Sequence, residues 1–171
     1  NVTNMYQMFF GMSSLTNLEL GESNFNTSNV TSMKSMFNGM SSLESLDLGN
    51  NFNTSNVTTM QSIFSFMSLL RSLDLGSNFD TSNVTHMQSM FYGMSSLTSL
   101  DLGSSFDTSN VTNMAQMFRD ASSLTSLDFS LVNFDTSKVT TMFTMFNGMS
   151  SITSLNLGDS FDTSNVTNNG S

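Results

Sequence analysis

The chain has 171 residues and a formal net charge of −9, with four Lys plus Arg against 13 Asp plus Glu. Such an acidic chain repels the phosphate backbone and lacks the basic footprint of a nucleic-acid-binding protein. It has no Cys, which rules out a disulfide framework. No apolar run approaches the ~20 residues that a membrane-spanning helix needs. The sequence therefore predicts no nucleic-acid partner and no membrane span in this segment.

A repeat of 27 or 28 residues runs through the whole chain. Valine marks its register at these positions: Val2, Val30, Val57, Val84, Val111, Val139 and Val166. The units are 2–29, 30–56, 57–83, 84–110, 111–138 and 139–165, with a remnant at 166–171. Each of the two longer units carries one extra residue in the same loop, at 22–24 and 131–133. A period of this length is typical of a solenoid, so we predict one repeat array over 1–171.

The spacing of apolar residues changes within each unit. In unit 84–110 the first apolar residues lie three and four apart: Val84, Met87, Met90, Phe91 and Met94. That spacing predicts a short amphipathic helix, which Gly93 would end, whereas the alternation of Leu100 and Leu102 predicts a strand. Phe66 and Asp120 replace this Gly in two units. We therefore expect an α/β solenoid, a right-handed superhelix with one short strand and one short helix per unit, rising about 5 Å per coil.

The unit reads Phe-Asp-Thr-Ser-Asn-Val-Thr-x-Met-x-x-Met-Phe-x-Gly-Met-Ser-Ser-Leu-x-Ser-Leu-Asp-Leu. Its Leu-x-x-Leu-x-Leu part resembles a leucine-rich repeat, and the whole unit more closely resembles the roughly 26-residue repeat of BspA-like bacterial surface proteins and surface lipoproteins. Members of that family often have Cys or another small residue where this chain has Met, for example at Met40 and Met94. The resemblance implies an extracellular or cell-surface protein that adheres to a protein or glycan ligand on a host or neighbouring cell.

Two rows of acidic and amide residues are expected to line up across the coils. The first row lies in the strands: Glu19, Asp47, Asp74, Asp101, Asp128 and Asn156. The second lies in the following turn: Asn26, Asn53, Asp80, Asp107, Asp135 and Asp162. Adjacent strands lie ~4.8 Å apart, so like charges repel and a bound cation would relieve them. Carboxylates suit calcium, which makes Asp47, Asp74, Asp101 and Asp128 candidate ligands.

The alternative for these rows is structural. The second row then forms Asx turns, in which a side-chain oxygen accepts a backbone N–H two residues on, and the first row is a solvated acidic face. No other cofactor is predicted.

Catalysis has little support in the sequence. The only His, His86, occupies a position that holds Asn, Ser or Thr in the other units, and no nucleophile elbow accompanies the abundant Ser. We predict that the protein is not an enzyme.

Residues that differ from unit to unit are the best guide to a binding surface. Aromatic and arginine side chains are the usual anchors of an interface. The candidates are Tyr6, Phe10, Arg71, Tyr92, Arg119 and Phe143, and the varying positions also include Lys34 and Phe66.

Asn-Val-Thr sequons recur through the repeat, at Asn1, Asn29, Asn56, Asn83, Asn110 and Asn165. In a secreted eukaryotic chain these Asn side chains would carry glycans if they face outward. In a bacterial chain Asn and Thr act as turn and cap residues.

The leading hypothesis is a non-catalytic cell-surface segment for adhesion. The alternative is a structural spacer or filament-forming array: both ends carry core residues, which favours end-to-end self-association. The chain also begins in mid-repeat without Met, so we expect it to be a processed or excised piece. A weaker alternative is an ice- or mineral-binding face with outward Thr columns, for which the candidates are Thr27, Thr54, Thr81, Thr108, Thr136 and Thr163.

Overall fold

The computed structural model describes residues 2–21 and 25–167. Each unit contributes one strand of three residues: β1 (Asn17–Glu19), β2 (Ser45–Asp47), β3 (Ser72–Asp74), β4 (Ser99–Asp101), β5 (Ser126–Asp128) and β6 (Ser154–Asn156). The described residues contain no helix. The repeat solenoid with one strand per unit is therefore confirmed, and the helix in each unit is wrong. The extra residue predicted at 22–24 lies outside the described residues.

The strands pair in parallel, as stacked coils require. They form three two-stranded sheets, β1–β2, β3–β4 and β5–β6. Equivalent leucines lie opposite one another, for example Leu73 and Leu100. Side chains in a strand alternate between two faces, so Leu73 is buried while Ser72 and Asp74 on either side of it are exposed.

The segment predicted to be helical is a chain of overlapping turns. The amide of Met90 donates to the carbonyl of Met87 at 3.2 Å, three residues back rather than the four of an α-helix. Ser89, the third residue of that turn, has a φ of +56°, as a type II turn requires. A left-handed residue every few positions cannot be part of an α-helix. In this segment, successive turns rather than a helix bury the apolar residues that lie three and four apart.

Alternate residues of this segment bond to the next coil. The amides of Met87, Ser89, Phe91 and Gly93 donate to carbonyls at 113, 115, 117 and 119, at 2.9 to 3.0 Å. We call this set of bonds the turn ladder. It continues across the described coils, including those whose strands lie in separate sheets, as one bond per step shows: Phe9 to Met36, Phe37 to Ile63, Phe64 to Met90, Phe91 to Met117 and Phe118 to Met145.

The core consists of stacked columns of identical or similar side chains. One column contains Phe9, Phe37, Phe64, Phe91, Phe118 and Phe146. Its ring centroids lie 5.1 to 5.9 Å apart, with planes within 17° of parallel. Methionines fill the space beside the rings, and Met33, Met36 and Met40 are fully buried. Met thus has a packing role here, for which its flexible side chain suits irregular gaps.

A column of threonines closes one corner of each coil from the inside. Thr27, Thr54, Thr81, Thr108 and Thr136 are fully buried. The Thr81 hydroxyl donates to the carbonyl of Asp107 and accepts from the amide of Asp107, both at 2.7 Å. Five of the six candidates for an outward ice-binding column therefore point inward, and that part of the prediction is wrong. Thr163, in the last coil, is exposed.

We predict that Thr81→Val lowers the free energy of unfolding by about 1 to 3 kcal/mol, because valine has the same shape but leaves two backbone groups of Asp107 without this partner. Thr112→Val is the matched control. The Thr112 hydroxyl lies 3.2 Å from the carbonyl of Thr85, which also accepts the Thr112 amide at 2.9 Å. Urea unfolding measures both variants. Equal losses would contradict a special role for the buried column.

Candidate binding surfaces

Four side chains that break the repeat come together on the turn side of the third to fifth coils. Phe66 and Tyr92 have ring centroids 4.7 Å apart. The Arg119 guanidinium lies 5.5 Å from the centre of the Tyr92 ring, and its Nε is 3.5 Å from Oδ2 of Asp120. Phe66 is 46% exposed. We call these four residues the turn cluster. It combines an aromatic pair, a cation over a ring and a carboxylate.

The backbone holds this cluster at some cost. Phe66 and Asp120 both have a φ of +59°, at the position that is Gly in the other four units. A residue with a Cβ loses roughly 1 to 2 kcal/mol in the left-handed region. Gly93, in the next coil, leaves room for Phe66, since a Cβ at Gly93 would lie 2.8 Å from Phe66 Cδ1. Contacts with Tyr92 and Arg119 offset part of this cost.

The structure brings together Tyr92 and Arg119 among the predicted binding residues. Tyr6 lies beneath Lys34, whose Nζ is 6.0 Å from the ring centre, and Phe10 is exposed on the same first coil. Arg71 is exposed just before β3, and Phe143 is half-buried in the sixth coil. Asp120 was not among the predicted residues, although its departure from the Gly column was a visible signal.

The first acidic row faces outward from the strands and also forms turns. In Asp47, Asp74, Asp101 and Asp128, Oδ1 accepts the amide of the residue two positions on, at 2.8 to 2.9 Å. The backbone N–H and the hydroxyl of Ser130 hold the pKa of Asp128 below its ordinary value. In residues 2–21 and 25–167, no group of three or more His, Cys, Asp and Glu is arranged to hold a metal ion. Calcium binding by these four aspartates stays a prediction.

The second row forms the Asx turns that the structural alternative predicted. Each side-chain oxygen accepts the amide two residues on, at 2.7 to 2.9 Å, in Asn26, Asn53, Asp80, Asp107, Asp135 and Asp162. Burial, the largest single influence, raises the pKa of Asp107. Hydrogen bonds from Ser109 and Asn133 and the charge of Lys138 outweigh it and bring that pKa below its ordinary value. The amide and hydroxyl of Ser164 lower the pKa of Asp162.

The sequon asparagines form an exposed column that ties coils together. Nδ2 of Asn56, Asn83, Asn110 and Asn165 donates to a Ser carbonyl of the preceding coil, at 2.7 to 2.8 Å. Asn29 is exposed as well, and Asn1 lies outside the described residues. These bonds give the asparagines a structural role. Glycosylation stays a prediction.

A coil built from one short strand and a chain of turns, stacked through the repeat, defines a β-solenoid repeat protein. No helix in the described chain is long and apolar enough to cross a membrane. The sequence matches the family described as "Mycoplasma protein of unknown function, DUF285" over residues 1–75 and 71–171, and the chain belongs to that family. No curated protein matches it significantly.

The pKa shifts predict an acid-dependent loss of stability. The pKa values of Asp107, Asp128 and Asp162 are lowered in the folded chain. A carboxylate of this kind stabilises the fold fully above its unfolded pKa of about 3.9 and loses that contribution as the pH falls through the folded pKa. The triple variant Asp107→Asn, Asp128→Asn, Asp162→Asn should therefore lose less stability than the wild type between neutral pH and pH about 2.5.

Asparagine can replace these aspartates because Asn53 and Asn156 make the same turn bond in the same rows. Urea unfolding across that pH range measures the effect. Asp107→Ala serves as the control, since it removes the acceptor and should lower the melting temperature at every pH. Equal acid dependence in the wild type and the triple variant would contradict the assignment.

Proposed function

We propose that this chain is a non-catalytic, ligand-binding segment of a BspA-like cell-surface protein, with the turn cluster as its contact site for a protein or glycan. Repeats of its family also occur in BspA-like surface proteins. The observation that carries the proposal is the cluster itself. Phe66, Tyr92 and Arg119 belong to three different coils, yet they form one contact group on the outer surface.

The residue types in the cluster fit recognition better than they fit stability. Interface anchors are enriched in Tyr, Trp and Arg, and a guanidinium over an aromatic ring offers both a flat apolar surface and hydrogen-bond donors. In the column of Tyr92 and Arg119 the other units carry Phe10, Asn38, Ser65 and Asn147, and in the column of Phe66 and Asp120 they carry Gly. Units with Asn, Ser or Gly at these positions fold in the same way, so the coil itself does not need aromatic or charged side chains there.

This comparison supplies a mild test variant. The triple substitution Phe66→Gly, Tyr92→Ser, Arg119→Asn gives each position a residue that the array already uses in that column. We predict that it weakens binding to an immobilised protein or glycan ligand about tenfold or more, because a few anchors carry most of the energy of an interface. A panel of host surface proteins and glycans, read by biolayer interferometry, identifies the ligand with the wild-type chain.

Leu69→Ser is the matched control for this experiment. Leu69 is 46% exposed outside the cluster, and Ser42 and Ser96 occupy its position in other units. It should leave binding within about twofold, as expected for an exposed residue away from the anchors. Unchanged binding by the triple variant would move the contact site away from the turn cluster.

The alternative function, a filament-forming array, is favoured by the complementarity of the two ends. In the turn ladder, amides of one coil donate to carbonyls of the next, as from Phe9 to Met36 and from Gly11 to Asn38. The equivalent donors on the last coil are the amides of Phe146 and Gly148, and the equivalent acceptors on the first are the carbonyls of Met8 and Phe10. The first coil also exposes 47% of Met8. A second copy stacked head to tail would continue both the bonds and the core.

We predict that the 171-residue chain forms concentration-dependent oligomers and that Met8→Glu abolishes them, because the stacked position is buried and would trap an unpaired charge. Light scattering and electron microscopy detect the assembly. Leu69→Glu adds the same charge to the lateral surface and should leave the assembly intact. A wild-type monomer at high concentration would rule out end-to-end association.

A further inference from the structure

A groove of about 600 Å³ lies beside the strands, on a different part of the surface from the turn cluster. Its lining combines three carboxylates, those of Asp74, Asp101 and Asp128, with the apolar side chains of Leu131 and Val132. The three aspartates are consecutive members of the acidic row in the strands. Leu131 and Val132 belong to the loop that carries the extra residue of the fifth unit.

In that loop, the side chain of Leu131 lies in solvent. Leu131 is 87% exposed, more than any other large hydrophobic residue of the described chain. The loop beneath it is well anchored: the amide of Val132 donates to the carbonyl of Phe129 at 3.2 Å, and the buried rings of Phe129 and Phe134 stack 3.8 Å apart. The fold thus holds an apolar side chain beside the groove without using it in the core, which is typical of an interaction surface.

The charge of the groove is uniformly negative. All four basic residues of the chain, Lys34, Arg71, Arg119 and Lys138, lie in the described part, and none lines the groove. Asp74 and Asp101 lie opposite each other on the paired strands β3 and β4, whose backbones are ~4.8 Å apart. Asp128 continues the row on β5, which does not pair with β4. Oδ1 of each aspartate accepts a backbone amide in its own turn, and Asp128 also accepts hydrogen bonds from the side chains of Ser130 and Asn156. The groove therefore offers an apolar wall next to an unbalanced row of negative charge.

We propose that this groove binds an extended, basic peptide segment of a protein partner, with Lys or Arg side chains against Asp74, Asp101 and Asp128 and an apolar side chain against Leu131 and Val132. In an extended peptide, side chains on one face recur every ~6.7 Å, so a peptide that lies along the groove can place two basic side chains beside the three carboxylates. A bare cation would leave Leu131 unused, and an apolar ligand would leave the charges unbalanced. This site is independent of the turn cluster.

The probe is a capped, fluorescein-labelled heptapeptide of alternating Lys and Leu, titrated with the 171-residue chain and read by fluorescence anisotropy. Binding should weaken as the ionic strength rises. Asp101→Asn keeps the turn acceptor, as Asn156 does in the same row, and should weaken binding about threefold. Leu131→Ser removes the apolar wall, leaves a residue like Ser77 and Ser104 in neighbouring units, and should weaken binding about fivefold.

Asp162→Asn is the control, since it makes the same change in net charge outside the groove and should leave binding within about twofold. An equal loss in that variant would reduce the interaction to general charge attraction and overturn the proposal. Unchanged binding by Leu131→Ser, or equal binding of a Lys and Ser heptapeptide, would also overturn it. So would displacement of the peptide by millimolar calcium but not by sodium at matched ionic strength, which would assign the carboxylates to a cation.

Discussion

The hydrogen bonds of the turn ladder are the constraint on which the rest of the molecule depends. Each coil has only three residues in a strand, and the strands pair in twos, so strand pairing alone leaves gaps between the second and third coils and between the fourth and fifth. The turn ladder bridges both gaps, for example from Phe37 to Ile63 and from Phe91 to Met117. Its bonds alternate with bonds inside each turn, for example from Met90 to Met87 and from Tyr92 to Ser89, so these amides are paired without a helix.

Because the ladder repeats, equivalent residues of successive units stack into columns. Each residue must therefore pack against equivalent residues in the neighbouring coils. Rings stack on rings and buried hydroxyls bond to the next coil, as Thr81 does to Asp107. Acidic columns are the difficult case, since like charges lie a single coil apart. In the strand row, Asp74 and Asp101 each accept the backbone amide two residues on, and at Asp128 the amide and hydroxyl of Ser130 hold the pKa below its ordinary value.

The period, the strands and the Asx turns could be predicted from the sequence, whereas the helix could not be excluded by it. Met87, Met90, Phe91 and Met94 have the spacing of one helix face, and nothing in that spacing distinguishes a helix from successive turns. The deciding feature is the left-handed backbone at Ser89, which also occurs at Ser35 and Ser62. Serine is an ordinary residue in many conformations, so the signal is invisible in one unit. The prediction of an outward Thr81 was wrong for a related reason. A hydroxyl suggests an exposed side chain, but Thr81 lies opposite the backbone of the next coil and is a buried hydrogen-bond partner of Asp107.

Both proposed binding sites include residues that depart from the repeat, whereas many repeated residues make contacts between coils. The sequon asparagines illustrate this, because their amides bond to the preceding coil and are as much a part of the stack as the core is. Phe66 and Asp120 accept a left-handed backbone without being glycine, and Leu131 stays in solvent on a firmly anchored loop. Each of these costs free energy that the fold does not recover in its core. The two proposed binding sites both use such residues: aromatic rings and a guanidinium in the turn cluster, and Leu131 beside the acidic groove.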